Sequence, residues 1–262
     1  MTPLSLTPPH HPGQVRLRVA TFNIRNSSAP DGDDSWVLRR EATAQAIEAL
    51  DAEVVGLQEV LPDQLEYLRE RFPEYEIVGA GRDDGIGAGE HSVVLVRPGK
   101  WRVESHETRW LSAEPSKPGS VGWDADLTRI ATLVWLRHAD GARIGVANTH
   151  YDHAGQVAQY ESSLLLASWT TDDLPWIVMG DLNATPDSPP LKALTGAGLR
   201  DAVPAEVGGS WHDFTGATDQ DRIDHILISA GWEVVEAAVS HYRPGGRLPS
   251  DHWPVTATLS LP

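Results

Sequence analysis

Several apolar segments of this sequence end in acids, amides or histidines, which are the side chains that bind metal ions and move protons. They are followed by Asn23 in "TFNIR", Gln58 and Glu59 in "GLQEV", His150 in "NTHYDH", Asp181 and Asn183 in "GDLN", Asp224 in "RIDHIL", and Asp251 with His252 in "PSDHWPV". A single aspartate after a strand is most often a turn former. The repetition of the pattern favours a shared polar site.

The stretch "WIVMGDLNATPDSPP", residues 176–190, shows this pattern in its clearest form. An apolar run stops at a glycine and is followed by Asp181 and Asn183. In extended backbone, residues two apart project from the same face, so both side chains can aim at one point beyond the strand end.

These residue types are what metal-assisted hydrolysis of a phosphate ester requires. A hard cation needs carboxylate and amide oxygens, a water nucleophile needs a nearby base, and charge developing on phosphorus needs hydrogen-bond donors. Oxygen ligands are available from Glu59, Asn23 and Asp251, and donors from Asn183, His150 and His252. The set is therefore chemically complete for that reaction.

The 262-residue chain has an ordinary globular composition, with 40% hydrophobic residues and no cysteine. The lack of cysteine excludes disulfides, thiolate metal sites and a cysteine nucleophile, which leaves oxygen and imidazole as metal ligands. The formal net charge of −16 disfavours adhesion to nucleic acid or to an anionic membrane. No window resembles a membrane span, so we expect no membrane partner.

The first 14 residues lack a charged start followed by a long apolar stretch, so we expect 1–14 to be a flexible leader rather than a signal peptide. We accordingly expect a cytoplasmic protein, and a monomer. Residues 15–262 contain no internal repeat and no linker long enough to divide them, which favours a single domain. The longest candidate loop is 112–126, and loops of that length are often functional.

Hydrophobic periodicity predicts many short strands and few helices. Strands are predicted over 15–24, 52–60, 75–79, 92–97, 101–104, 130–137, 143–149, 175–180, 223–228, 232–239 and 254–261, and helices over 62–71, 155–170 and 188–195. A further helix, capped by Asp34 or Ser35, is expected to carry Trp36, Val37, Ala44, Ile47 and Leu50 on one apolar face. This pattern fits two packed sheets with helices outside.

The motifs, in chain order, resemble those of the endonuclease/exonuclease/phosphatase superfamily, which includes DNase I, exonuclease III and neutral sphingomyelinases. They are "TFNIR", "GLQEV", "GEHSVVLVRP", "LTRIATLVWL", "NTHYDH", "GDLNATPDS", "RIDHILIS" and "SDHWPV", and they span residues 16–261. The resemblance implies an α/β fold of the DNase I type. This is a four-layer sandwich of two mainly antiparallel sheets packed face to face, with helices outside and the active site at one edge.

The resemblance also implies residue roles at the metal and the attacking water. Glu59 matches the principal metal-binding glutamate, with Asn23 and Asp251 nearby, and the implied metal is Mg²⁺ or Mn²⁺. Asp181 matches the aspartate that orients or deprotonates the attacking water, and Asn183 matches the amide beside it.

The histidines and one arginine are matched to the phosphate. His252 matches the histidine that contacts the scissile phosphate and is oriented by Asp224. His150 matches a second histidine, which in DNase I-like members pairs with an acid at the position of Glu90. Arg129 falls where the family often has a phosphate-facing arginine.

One motif departs from the family's pattern. Several nuclease members carry an acid two residues after the asparagine, where this chain has Arg25. An arginine cannot ligate a cation, so this position disfavours a second metal and is instead a candidate for binding a terminal phosphate. Trp123 in the long loop and Trp253 beside His252 are candidates for substrate contact, with core packing as the alternative.

Three alternatives stay open at this point. The spacing of His150, Asp152 and His153 is compatible with zinc. The substrate is expected to be a small phosphomonoester, a phosphodiester or a nucleotide end, but DNA or RNA cut by an endo- or exonuclease is the main alternative. A catalytically inactive sandwich that only binds a ligand is disfavoured, because such a protein should have lost Glu59, the "GDLN" pair or His252.

Overall fold

The computed structural model describes residues 15–170 and 173–261, so the leader expected over 1–14 lies outside the described residues. The strands are β1 (Val15–Asn23), β2 (Val54–Val60), β3 (Glu76–Val78), β4 (His91–Val96), β5 (Trp101–Trp110), β6 (Ile130–His138), β7 (Arg143–His150), β8 (Trp176–Asp181), β9 (Arg200–Asp201), β10 (Asp224–Ile228), β11 (Glu233–Val239) and β12 (Val255–Leu261). The α-helices are α1 (Trp36–Ala49), α2 (Pro62–Arg71), α3 (Gln156–Trp169) and α4 (Pro189–Gly196).

The strands form two six-stranded sheets, ordered β11-β12-β1-β2-β4-β3 and β5-β6-β7-β8-β10-β9. Each sheet is mainly antiparallel and contains one parallel pair, β1 with β2 in the first and β7 with β8 in the second. Parallel neighbours need a crossover connection, which α1 and α3 provide. The crossovers direct the carboxyl ends of both strands in each pair to the same edge.

Three apolar clusters separate the four layers. The central cluster lies between the sheets, where Leu17 and Val19 meet Val146 and Ile177. A second cluster joins the first sheet to α1 and α2, and a third joins the second sheet to α3 and α4. This arrangement confirms the predicted four-layer α/β sandwich.

Two local predictions are wrong. Val37 was expected on the apolar face of α1 but is 71% exposed. Neighbouring residues of a helix point about 100° apart, so of Trp36 and Val37 only Trp36 lies on the buried face. β5 continues far beyond the predicted range 101–104, because its polar residues lie on an edge strand that is partly open to solvent. Among the described residues, no helix has the length and apolar character needed to span a membrane.

Candidate active site

A cleft of about 460 Å³ opens among the polar strand ends. It is lined by Arg25, Asn26, Glu59, Glu90, Leu127, Arg129, His150, His153, Asp181, Asn183, Trp211, Ile223, Asp251 and His252. Asn23 and Asp224 are fully buried and form hydrogen bonds to lining residues. The fold therefore brings the predicted residues together, with the exception of Trp123, which is not part of the lining.

Strand register brings the residues of the second sheet together. His150 at the end of β7 is the register partner of Asp181 at the end of β8, and Asp224 at the start of β10 also lies opposite Asp181. Gly180 has a φ of +148°, and a Cβ there would lie 1.9 Å from the carbonyl oxygen of Thr149. Glycine is therefore required directly before Asp181.

Asn23 joins carboxylates from the two sheets. Its Nδ2 donates to Oε1 of Glu59 and to Oδ2 of Asp181, both at 2.9 Å, and its Oδ1 accepts the N–H of Arg25 at 2.9 Å. Because that N–H fixes the orientation of the amide, the nitrogen of Asn23 faces the carboxylates. A role for its oxygen as a metal ligand stays a prediction.

The buried carboxylates of the cleft fit a divalent cation. Burial opposes the charge of Glu59, but the nearby His150 and hydrogen bonds from Asn23 and Asn26 outweigh it and lower the pKa of Glu59. Burial raises the pKa of Asp251, and burial with repulsion from Asp224 raises that of Asp181 to about 7. A hard cation such as Mg²⁺ bound among these carboxylates would offset the cost of burying their negative charge.

His252 and Asp224 form a buried hydrogen-bonded pair, with 2.8 Å between Nδ1 and Oδ2. Burial opposes a charge on His252, but the carboxylate of Asp224 outweighs it and raises the pKa of the imidazole well above its usual value. Nε2 of His252 then carries a proton and lies 3.8 Å from Oδ2 of Asp181. Ligand atoms of these three residues lie within 4.8 Å of one another, so they are also a possible metal group.

His150 has an arginine as its main polar neighbour. Nη1 of Arg129 lies 3.0 Å from Nδ1 of His150, whereas the expected partner, Glu90, is 4.0 Å from that nitrogen and forms a 2.5 Å bond with Arg82. Burial and the charge of Arg129 lower the pKa of His150 well below its usual value. Nε2 of this neutral ring lies 3.5 Å from Oδ2 of Asp181.

The zinc alternative gains no support from Asp152. Its Oδ1 accepts the N–H groups of Ala154 and Gly155, and its Oδ2 accepts the N–H of Leu127. Asp152 does not line the cleft, its two oxygens hold the backbone, and Nδ1 of His150 is used by Arg129. Asp152 instead anchors the end of the long loop beside the cleft.

Arg25 lies at the rim of the cleft between two carboxylates. It donates to Asp31 from Nε and Nη2 at 3.2 and 3.1 Å, and its Nη1 lies 3.7 Å from Asp251. Burial opposes the charge, but the bond to Asp31 outweighs it and raises the pKa of Arg25. Arg25, Glu59 and Asn183 all have left-handed backbone, with φ of 53°, 61° and 46°.

Neither candidate tryptophan lines the cleft, and for Trp253 the core-packing alternative is correct. Trp253 is fully buried and its indole donates to the carbonyl of Ala217 at 2.8 Å, so it packs in the interior. Trp123 is 42% exposed, yet the tryptophan that lines the cleft is Trp211. Sequence reasoning missed Asn26, Leu127, Trp211 and Ile223 as lining residues. Asn26, Leu127 and Trp211 lie in irregular segments without periodicity, and Ile223 opens a predicted strand, where an apolar residue is read as core. The one available signal was a tryptophan beside the turn-forming "GGS".

Comparison with known proteins identifies relatives over most of the chain. The model of the Endonuclease/Exonuclease/phosphatase family matches residues 20–252. No curated protein matches the sequence.

Solved structures with the same fold include relatives above 30% identity. An endonuclease/exonuclease/phosphatase from Bacteroides vulgatus is 34% identical, with a TM-score of 0.89, over 95% of this chain and 100% of that one. A mannosyl-6-phosphatase from Bacteroides thetaiotaomicron is 32% identical, with a TM-score of 0.85, over 93% and 99%. TDP2 from D. rerio, complexed with a single strand DNA product, is 15% identical, with a TM-score of 0.72, over 93% and 98%, which shows the fold alone.

Proposed function

Because this chain belongs to the Endonuclease/Exonuclease/phosphatase family, whose members hydrolyse phosphate esters, we propose that it is a divalent-metal-dependent phosphatase of small phosphomonoesters, with sugar phosphates as the preferred class. The observation that carries most weight is the meeting of Asp181, His150 and the His252–Asp224 pair beside buried carboxylates. A base, two proton donors and oxygen ligands within one cleft are the components of phosphate ester hydrolysis.

Asp181 is the base that orients and deprotonates the attacking water. Burial and the charge of Asp224 raise its pKa, so it accepts a proton more readily than an exposed carboxylate. Nε2 of His252 and of His150 lies beside Asp181, at 3.8 and 3.5 Å, so both N–H groups are available to oxygens around the attacked phosphorus. Asn183 gives one amide N–H to the carbonyl of Tyr151 and keeps the other for the phosphate. Asp224 keeps His252 charged and oriented.

Glu59 and Asp251 would hold the metal, with Asn23 orienting Glu59. A bound Mg²⁺ or Mn²⁺ would supply Lewis-acid stabilisation of charge on the phosphate oxygens. All other steps rest on side chains of this chain.

The preference for a monoester is supported by Arg25, which adds a cation at the rim where a terminal phosphate carries its extra charge. The net charge of −16 disfavours a long polyanionic substrate. The sugar class is supported by the mannosyl-6-phosphatase, which is 32% identical and aligned over 93% of this chain. A monomeric state and a cytoplasmic location stay predictions.

A substrate panel tests the proposal. It would compare sugar phosphates, nucleoside monophosphates, a chromogenic phosphodiester, single-stranded RNA and plasmid DNA in Mg²⁺ or Mn²⁺, each across a salt series. We expect the highest kcat/KM on a sugar phosphate and a shallow salt dependence, because few counterions are released. The Asp181→Asn/His252→Ala double variant, purified in the same way, reports contaminating activity. Strong, salt-sensitive nicking of plasmid would make the nuclease alternative correct.

A further inference from the structure

The lining of the cleft includes three apolar side chains. Trp211, Ile223 and Leu127 line the same cleft as Asp181 and His252. Trp211 is 39% exposed and Leu127 is 38% exposed, so neither side chain is fully covered by the protein. An uncovered tryptophan on the wall of a catalytic cleft gains from a ligand that covers its ring.

The backbone of Trp211 is tied to that of the catalytic pair. Trp211 forms an isolated antiparallel bridge with His252. The neighbouring Ser210 accepts the N–H groups of Ile223 and Asp224 with its Oγ, at 3.0 and 3.1 Å. The backbone segments that carry Trp211 and Ile223 are therefore those that position Asp224 and His252.

We propose that Trp211, with Ile223 beside it and Leu127, forms the site for the leaving group, and that this group is a monosaccharide ring. This inference rests on the proposed phosphatase function and adds the residue that determines specificity. A sugar ring has an apolar C–H face and a hydroxylated edge. The lining offers apolar side chains for the face and polar residues such as Asn26 and His153 for the edge. The cleft volume of about 460 Å³ is in the range of small-molecule sites.

A nucleobase would also stack on an indole, but it fits this lining less well. Its edge carries fixed donors and acceptors that need directional partners, and the other apolar lining residues, Ile223 and Leu127, are aliphatic. Sugar hydroxyls each donate and accept, and they rotate toward whatever partner or solvent is available. His153 offers such a partner, since its side chain is 55% exposed.

The test compares a ring substrate with an acyclic one. The kcat/KM of Trp211→Leu and Trp211→Phe would be measured for a hexose phosphate, glycerol phosphate and a nucleoside monophosphate. We expect Trp211→Leu to lower kcat/KM for the hexose phosphate by about tenfold, mainly through KM, and to change that for glycerol phosphate by less than about twofold. Trp211→Phe should retain most of the activity. Tyr160→Leu, an exposed aromatic on α3 away from the cleft, is the matched control.

The other outcomes each overturn the inference or separate it from the proposed function. Equal losses for the ring and acyclic substrates would mean that Trp211 supports His252 and binds no ring. A larger loss for the nucleoside monophosphate would replace the sugar by a nucleoside. If the wild type hydrolyses no phosphomonoester, the phosphatase function fails and the binding of the hexose phosphate is measured by calorimetry instead. Binding that is weaker in Trp211→Leu than in the wild type would still support the sugar site. Absent or unaffected binding rejects the site.

Discussion

Nη1 of Arg129 donates a hydrogen bond to Nδ1 of His150 across 3.0 Å. A guanidinium has donors and no acceptor, so Nδ1 of His150 must be unprotonated and the ring proton must reside on Nε2. Arg129 thereby fixes a neutral His150 whose only N–H points toward Asp181, 3.5 Å away. His252 and His150 differ in charge, because His252 is paired with an acid and His150 with a cation.

Replacing Arg129 by methionine should raise the pKa of His150, because it removes the strongest of the positive charges that, together with burial, lower it. We expect kcat to fall by about 10²-fold as the Nε2–H donor loses its fixed orientation. Histidine-ring NMR across a pH series would measure both the pKa and the tautomer. Arg109→Met, which removes a cation that stacks on Trp169, is the matched control. A wild-type His150 with its proton on Nδ1 would contradict this assignment.

Asp224→Asn should behave as a weakened form of His252→Ala. The carboxylate orients and charges the imidazole, so its loss should lower kcat by about 10²–10⁴-fold with little change in Tm. Because the two residues act as one unit, the Asp224→Asn/His252→Ala double variant should be no less active than His252→Ala. If the losses in kcat of the two single variants add up in the double variant, Asp224 acts independently of His252.

EDTA should abolish activity, and Mg²⁺ or Mn²⁺ should restore it. Glu59→Gln removes a buried carboxylate charge, so we expect the half-saturating metal concentration to rise by about tenfold or more. Calorimetric titration of the metal into the protein gives the same comparison without turnover. Glu66→Gln, on the exposed face of α2, is the control. An unchanged titration for Glu59→Gln would remove it from the ligand set.

His212 should make folding stability depend on pH. It is 1% exposed, its Nδ1 accepts the N–H of Gly216 at 3.2 Å, and burial with repulsion from His252 lowers its pKa to about 4. Because the folded pKa is below the unfolded value of about 6.5, this stability is present above that pH and is lost as the pH falls toward 4. Between about pH 7.5 and about pH 5, the contribution of His212 to the free energy of unfolding should fall by about 2 kcal/mol.

Urea unfolding at both pH values measures that difference. His212→Phe keeps an aromatic ring against Trp253, whose ring centroid lies 4.3 Å from that of His212, but it cannot titrate. Its free energy of unfolding should therefore change less between the two pH values than that of the wild type. An identical pH dependence in both proteins would assign the effect to other groups.

The layers of the fold and most of the cleft could be predicted from the sequence, because both follow from strand periodicity. Apolar strands that end in polar residues place His150 and Asp181 at one sheet edge, whatever the details of packing. Contacts made by long side chains could not be predicted. Arg129 reaches Nδ1 of His150 in place of Glu90, and no spacing in the sequence encodes that reach. Trp211 lies in an irregular segment, where hydrophobicity alone cannot distinguish a core residue from a ligand contact.

The left-handed backbone of Arg25, Glu59 and Asn183 sets catalysis against thermal stability. A side chain in this region costs on the order of 1 kcal/mol or more compared with glycine. Glycine at any of the three positions would therefore relieve conformational strain and remove a functional group in the same step. Selection for heat resistance alone would drive these positions toward glycine, whereas selection for turnover would keep the arginine, the glutamate and the asparagine that this chain has there.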